Sequence, residues 1–356
     1  MRRQFHRASA CRDGFLLAVK QRGGKLGGET AEVIVVDDEL KPDVAVTKAK
    51  ALVDRDKVDF VVGVVFSNVM NAVAKPLAES KTFLISANAG PSTLAGEGCS
   101  PYVFSASYQN DQNHEVLGKY AQDKGYKKVV LMAPHYQAGK DSAAGFKIDY
   151  KGEIVEESYL PLNTSDFQVE LTKISSAKPD ALFTFMPGGL GVGLVKQYRQ
   201  AGLADRIPVL SAFPVDESRL PAPQDAAVGM FGGADWAPNM DNPQSKKFVA
   251  GYEAAYNIVP GTYAMQGYDT AMLIDSAVKA TKGDLANKDA VSAALKKADF
   301  TSLRGDFKFN VNGYPIQNFY LTKVAKRADG KFQTEIVEKV FSNYGDRYAK
   351  DCTPGK

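Results

Sequence analysis

Three short segments combine small, polar and glycine residues in a way that suits them to hold an anion. They are Phe66-Ser67-Asn68, Ala87-Asn88-Ala89-Gly90-Pro91-Ser92 and Met186-Pro187-Gly188-Gly189-Leu190-Gly191. Each follows an apolar run with the composition of a strand and leads into, or lies near, the start of a stretch with helical period. The first amides of a helix lack partners within it, and small residues let a negative group approach them closely. A carboxylate would sit well there. Ser67 adds a hydroxyl to its own amide and is expected to hold one carboxylate oxygen, with the backbone of Asn88, Ala89 and Gly90 holding the other. Helix capping by Ser67 is the plainer reading, and the two roles are compatible.

Catalytic motifs do not survive inspection. Gly188-Gly189-Leu190-Gly191-Val192-Gly193 cannot complete a dinucleotide fingerprint, because the final glycine position falls on Leu194 or Lys196. Ala138-Gly139-Lys140-Asp141 lacks both the first glycine and the Ser or Thr of a phosphate loop. His114-Glu115 would need its second histidine at Gly118, and Ser175 to Lys178 has no companion β-lactamase motif. The histidines are His6, His114 and His135, and the cysteines Cys11, Cys99 and Cys352, with no spacing that suits a metal. Neither an enzyme, a metal nor a cofactor is expected, and His135 reads as a polar rim residue. Cys99 and Cys352 lie in polar, turn-rich segments where a disulfide could pin a loop to the C-terminal tail; free thiols are the equal alternative.

The elements that must position these loops form a relay. Strands are predicted at 32–36, 60–65, 82–86, 128–132, 154–159, 181–185, 209–211 and 229–232, and helices at 44–54, 68–80, 111–124, 138–150, 165–177 and 190–201. After Trp236 come three helices, 243–256, 263–281 and 288–298, and a β-rich tail. Alternation of this kind builds parallel sheets covered on both faces, which bind ligands at the carboxyl ends of their strands. A length of 356 residues, against about 150 per domain, suggests two lobes.

Composition narrows the class further. A hydrophobic fraction of 44% with 24% charged residues excludes a disordered chain. The net charge is +3, with signs interspersed, so no nucleic-acid partner is expected. The longest apolar run, 60–66, is far short of the roughly 20 residues that span a bilayer. Residues 1–7 are basic but only 15–19 follow as an apolar run, so no secretory signal is visible.

Arg12-Asp13-Gly14-Phe15 with 16–20, Gly23-Gly24-Lys25, Val36-Asp37-Asp38, Val62-Gly63, Ile85-Ser86-Ala87 and Gly267-Tyr268-Asp269-Thr270-Ala271 form an ordered set. From Arg12 onward the chain thereby resembles the leucine/isoleucine/valine-type solute-binding proteins of ABC transporters. Ser86-Ala87-Asn88-Ala89-Gly90-Pro91, Ala138-Gly139-Lys140-Asp141 and Pro187-Gly188-Gly189 are most similar to the branch associated with aromatic carboxylates. The resemblance implies the type I periplasmic binding protein fold, α/β, with two doubly wound parallel-sheet lobes joined by three crossings near 105–107, 235–238 and 314–318. Lobe one would then be 1–106 plus 237–315, lobe two 107–236 plus 316–345, and 346–356 a tail. It also implies a cleft that closes on a small-molecule carboxylate, delivery to an ABC transporter membrane permease, a periplasmic location and a monomer. Ser67, Asn88, Ala89 and Gly90 match positions that clasp the carboxylate. Tyr136, Gly188, Phe213 and Trp236 would meet the rest of the ligand, and Tyr268 lies close to the cleft in the family pattern.

Two departures matter. Amino-acid binders of this family carry an acidic residue after the strand that ends near Ser211; here Phe213-Pro214-Val215-Asp216 puts Val215 in that position. A ligand ammonium would be desolvated without a partner, which disfavours amino acids and favours an aromatic acid, unless Asp216 takes the slot. Family members also begin with a strand and a Ser-Gly-Pro-type loop, whereas residues 1–10 are basic, so the first strand of lobe one is expected to be missing. The alternatives to an aromatic-acid receptor are a branched-chain or other amino-acid receptor, and a ligand-sensing regulatory domain on the same fold.

Overall fold

A computed structural model of the chain describes residues 6–212 and 216–353. The chain divides into two compact units: a terminal unit built from Arg7–Gln109, Tyr263–Gln317 and Asn343–Lys356, and a central unit that contains Asn110–Thr262 and Asn318–Ser342.

In the terminal unit, strands Phe60–Gly63, Phe83–Ser86 and Val103–Ser105 form a parallel sheet in that order. The middle strand is buried on both sides. Phe83 and Ile85 enter one apolar cluster with Ala18 and Leu273, while Leu84 enters a second with Val69, Val73 and Leu77. Alternation along the strand thus places one helical layer on each face, the doubly wound plan. The Val103–Ser105 strand was not predicted. Residues 32–36, predicted as a strand, are irregular instead, with Val33, Ile34, Val35 and Val36 between 38% and 59% exposed. A β-branched run becomes a strand only when a partner accepts its backbone bonds, and no such ladder forms at 32–36 among the described residues.

The glycines of the two most recognisable terminal-unit motifs do packing work. A Cβ on Gly14 would lie 1.9 Å from the Ala264 carbonyl oxygen, and one on Gly267 would lie 1.9 Å from that of Cys11. Helices His6–Gln21 and Thr262–Ala280 therefore touch backbone to backbone, which only glycine permits. Asp269 of the same motif is fully buried and pairs with Arg304, 3.1 Å away. Cys99 and Cys352 form a disulfide with a Cα–Cα distance of 5.6 Å, and Cys11 is buried and not disulfide-bonded.

The central unit's sheet runs Phe231–Ala234, Val209–Leu210, Ala181–Thr184, Lys128–Pro134, Glu153–Leu160, all parallel, with the later part of Pro315–Lys326 antiparallel to Phe231–Ala234. Phe146 and Phe183 stack at 4.2 Å on one face, and Val130, Met132 and Leu182 join Leu190 and Leu194 on the other. Helix Pro243–Tyr256 belongs to this unit, not to the lobe expected from the sequence, because the boundary falls after Thr262. Its anchor is Trp236, whose indole Nε1 donates to Ser245 Oγ at 2.8 Å and whose ring meets Phe248 edge-on at 6.0 Å. Among the described residues no helix is long and apolar enough to cross a membrane.

Candidate functional site

Strands Phe60–Gly63 and Phe83–Ser86 are paired with Gly63 opposite Ser86, so the loops that follow them emerge side by side in the terminal unit. They are stitched together: the Ala87 amide donates to the Gly63 carbonyl at 2.9 Å and the Ala89 amide to that of Val64 at 3.1 Å. Val64 adopts a φ of 62°, a left-handed backbone that is costly for a β-branched residue and so a mark of a constrained loop. Ser67 is the first residue of helix Ser67–Glu79 and is 1% exposed. The cap position belongs to extended Phe66, which makes no side-chain cap bond, so simple capping by Ser67 does not describe its place.

Asn88, Ala89 and Gly90 sit beside it but not as expected. The Asn88 amide is bonded to Ser86 Oγ at 3.3 Å and the Ala89 amide to Val64, so neither is open to a ligand oxygen in this conformation. Asn88 Nδ2 donates to Tyr108 Oη and Gln266 Oε1, both at 3.0 Å. Gly90 is required by close approach, since a Cβ there would lie 2.0 Å from the Tyr108 carbonyl oxygen. These three residues are thus tied into the loop pair, with Gln266 bonded to the Asn88 side chain. Gln266 is fully buried, its Oε1 accepts from Asn88 Nδ2, and its Nε2, a donor, has no partner among the described residues. The sequence signal for it was slight: it precedes the Gly267 motif by one position. Tyr268, two residues on, donates its hydroxyl to Gln21 at 2.8 Å and packs with the cluster of Phe83 and Ile85.

In the central unit, neighbouring strands Lys128–Pro134 and Ala181–Thr184 end next to each other. Tyr136 caps helix Gln137–Asp149, and Gly188 caps Gly189–Gln200 with a φ of 66° that favours glycine. The Tyr136 ring stacks on Phe185 at 6.4 Å with planes 23° apart, so Phe185 joins the ring surface at this loop pair. Phe185 was read as the last residue of a strand. Behind it lies His114, edge-on to Phe183 and Phe185; burial pushes its pKa down to about 3, and the imidazole is neutral. Trp236 is fully buried and packs edge-on against Phe248. Phe213 lies outside the described residues, as does Val215. Asp216 Oδ1 accepts from the Ser218 amide at 2.9 Å and from its hydroxyl, which commits that oxygen to a local turn. Gly139 of the 138–141 segment is structural: its Cβ would lie 1.8 Å from the Pro134 carbonyl oxygen. No cluster of metal-ligating side chains occurs among the described residues.

Glu217, next along the chain, is buried, and its Oε1 accepts from the Thr334 amide at 2.8 Å and hydroxyl at 2.5 Å. Burial pushes its pKa up to about 7 from 4.5. The folded state therefore holds a proton that the unfolded state has released between those values, and stability falls as pH rises across that window. The span is worth about 3 kcal/mol. Denaturation midpoints measured from pH 4 to 8 should show this fall, and Glu217→Gln should flatten it; an equally steep fall in the variant would assign the effect elsewhere.

A sequence model described as periplasmic binding protein matches residues 7–331. Leu/Ile/Val-binding protein homolog 6 of Brucella melitensis is 31% identical over 339 residues, 92% of this chain and 85% of that one. A solute-binding protein of an ABC transporter from R. palustris, solved in complex with benzoate, superposes with a TM-score of 0.92 at 33% identity, covering 98% of this chain and 96% of that one. One from Rhodopseudomonas palustris BisB5, in complex with 3,4-dihydroxy benzoic acid, gives 0.91 at 31%, covering 97% and 95%. The branched-chain amino acid transporter substrate-binding protein LivJ from Streptococcus pneumoniae, in complex with isoleucine, gives 0.83 at 25%, covering 95% and 96%.

Proposed function

The chain belongs to the periplasmic binding protein family, and from that premise we propose that it receives a small aromatic carboxylate and delivers it to the permease of an ABC importer. The family and its structural neighbours are substrate-binding proteins of transporters, not enzymes, and family members are periplasmic. The observation that carries the carboxylate is the terminal-unit loop pair. There a buried Ser67 opens a 13-residue helix, and Gln266 Nε2 supplies a buried donor beside the Asn88 loop. Such a site is complementary to one negative charge. Support for an aromatic body comes from the Tyr136–Phe185 stack and from neighbours at 31–33% identity that were solved with benzoates. An amino-acid ligand is the second reading, favoured by the names of the Brucella relatives and by the isoleucine complex of LivJ. Against it stands Asp216, whose Oδ1 is already engaged by Ser218.

A thermal-shift series with benzoate, 4-hydroxybenzoate, leucine and isoleucine separates the two. A ligand present at about 100 times its Kd adds about 2.7 kcal/mol, several degrees in Tm. Stabilisation is expected from the benzoates alone, and Ser67→Ala should weaken benzoate roughly tenfold or more, the worth of one hydrogen bond to a charged group. Stabilisation by leucine with no response to any aromatic acid would overturn the specificity.

A further inference from the structure

Five rings of the central unit form a line from its core to the carboxyl end of its sheet. Phe146 stacks on Phe183 at 4.2 Å, His114 stands edge-on to Phe183 at 5.7 Å and to Phe185 at 5.2 Å, and Tyr136 stacks on Phe185 at 6.4 Å. Phe183 and Phe185 are two residues apart, so strand alternation turns both to one face. Four of the rings are buried and Tyr136 is half-buried. His114 thus joins a core stack to the stack that reaches the surface. Its mount is rigid, since it lies in the first turn of helix Gln112–Asp123. A Cβ on Gly118, one turn later, would lie 2.1 Å from the Phe146 carbonyl oxygen, one on Gly145 2.4 Å from that of Asp111, and one on Gly233 1.9 Å from that of Asn113. The helix is pressed backbone to backbone against helix Gln137–Asp149 and strand Phe231–Ala234, so the imidazole cannot withdraw. Packing alone does not account for a histidine here. Its Nδ1 is buried with no hydrogen-bond partner among the described residues, a cost that an apolar side chain of similar volume would avoid. What the imidazole offers instead is a flat ring set steeply to both phenylalanines, an arrangement that aromatic pairs favour and that fixes the planes of the rings.

We infer that His114 is a positioning residue for the ligand's ring: it holds the plane of Phe185 and, through Phe185, that of Tyr136. Its effect on binding rests on the reading that an aromatic acid is received at Tyr136; its effect on the Tyr136 ring itself does not.

The test is His114→Leu in the full chain. Leucine nearly keeps the volume, so the variant should fold, but it has no ring edge with which to hold Phe185. With ¹³C-labelled tyrosine, the Tyr136 ring signals of the ligand-free protein, assigned by their loss in Tyr136→Phe, should move. Titration calorimetry should show benzoate weakened about three- to tenfold, the worth of one aromatic pair. Cyclohexanecarboxylate, which has the same charge and a similar size but no aromatic face, should be weakened less than about twofold. A general loosening of the protein would lower both affinities alike. Equal loss for the two acids, no loss for either, or Tyr136 signals that stay in place would overturn the inference. A wild type that binds no aromatic acid overturns the ligand reading instead, and the Tyr136 signals still decide the role of His114.

Discussion

Replacing Arg304 with methionine is expected to remove about 3–5 kcal/mol of the terminal unit's stability, the cost of leaving a buried charge without its partner. Arg304 is 3% exposed and joins three segments of that unit. Its Nε and Nη2 face Asp269 Oδ2, each at 3.1 Å, while Nη1 donates to the Ser107 carbonyl at 3.0 Å and to Gln317 Oε1 at 2.8 Å. The guanidinium also lies over the Phe307 ring, 4.4 Å from its centroid. Asp269 accepts in addition from Ser302 Oγ at 2.5 Å and the Leu303 amide at 3.0 Å. Methionine preserves bulk over Phe307 but leaves the carboxylate without its counter-charge and Gln317 Oε1 without its donor, while the Ser107 carbonyl keeps Gln317 Nε2 at 2.7 Å. The paired change Asp269→Leu with Arg304→Met removes both charges and should recover most of the loss, because the desolvation of each ion disappears with it. Urea denaturation of the three proteins decides the matter; a single variant within about 1 kcal/mol of the wild type would mean the ion pair contributes no more than a surface one.

Removing the disulfide by Cys352→Ser should cost about 2–5 kcal/mol. The bonded cysteines are 253 residues apart in sequence, so the cross-link restricts an unusually long stretch of the unfolded chain. The folded tail keeps other anchors. Asn312 Nδ2 donates to the Ala95 carbonyl at 2.7 Å and to Asp346 at 3.1 Å, and Asp346 Oδ1 accepts from the Tyr348 amide at 3.0 Å. The native geometry should therefore survive, with the loss appearing as a lower Tm. Adding a reductant should bring the wild type down to the variant and leave the variant unchanged. A wild-type Tm insensitive to complete reduction would show that these other anchors alone carry the tail.

The two cases also show how a motif can be legible without its meaning being so. Gly267-Tyr268-Asp269 stood out in the sequence as a family signature, and Tyr268 was the residue assigned to the ligand. In the fold, Gly267 permits a helix crossing and Asp269 holds Arg304, while the buried amide beside the Asn88 loop belongs to Gln266. A signature reports that a position is constrained, and a backbone clash constrains as strongly as a ligand does.

Local patterns in the sequence were sufficient for most helices and strands, for the doubly wound class and for the loops after Gly63 and Ser86, because apolar period and turn chemistry act over a few residues. Post-strand loops gather at one end of a parallel sheet by topology alone, which is why Ser67 and the Asn88 segment could be paired before any coordinates. Only the tertiary structure decided which groups in those loops remain open. The Ala89 amide is taken by Val64, Trp236 is fully buried and packs edge-on against Phe248, and 32–36 forms no strand for want of a partner. It also decided that helix Pro243–Tyr256 packs with the central unit. Each of these outcomes depends on a hydrogen-bond partner or packing neighbour distant in sequence. Residue type states what a group can bond, and the fold alone states whether that bond is already made.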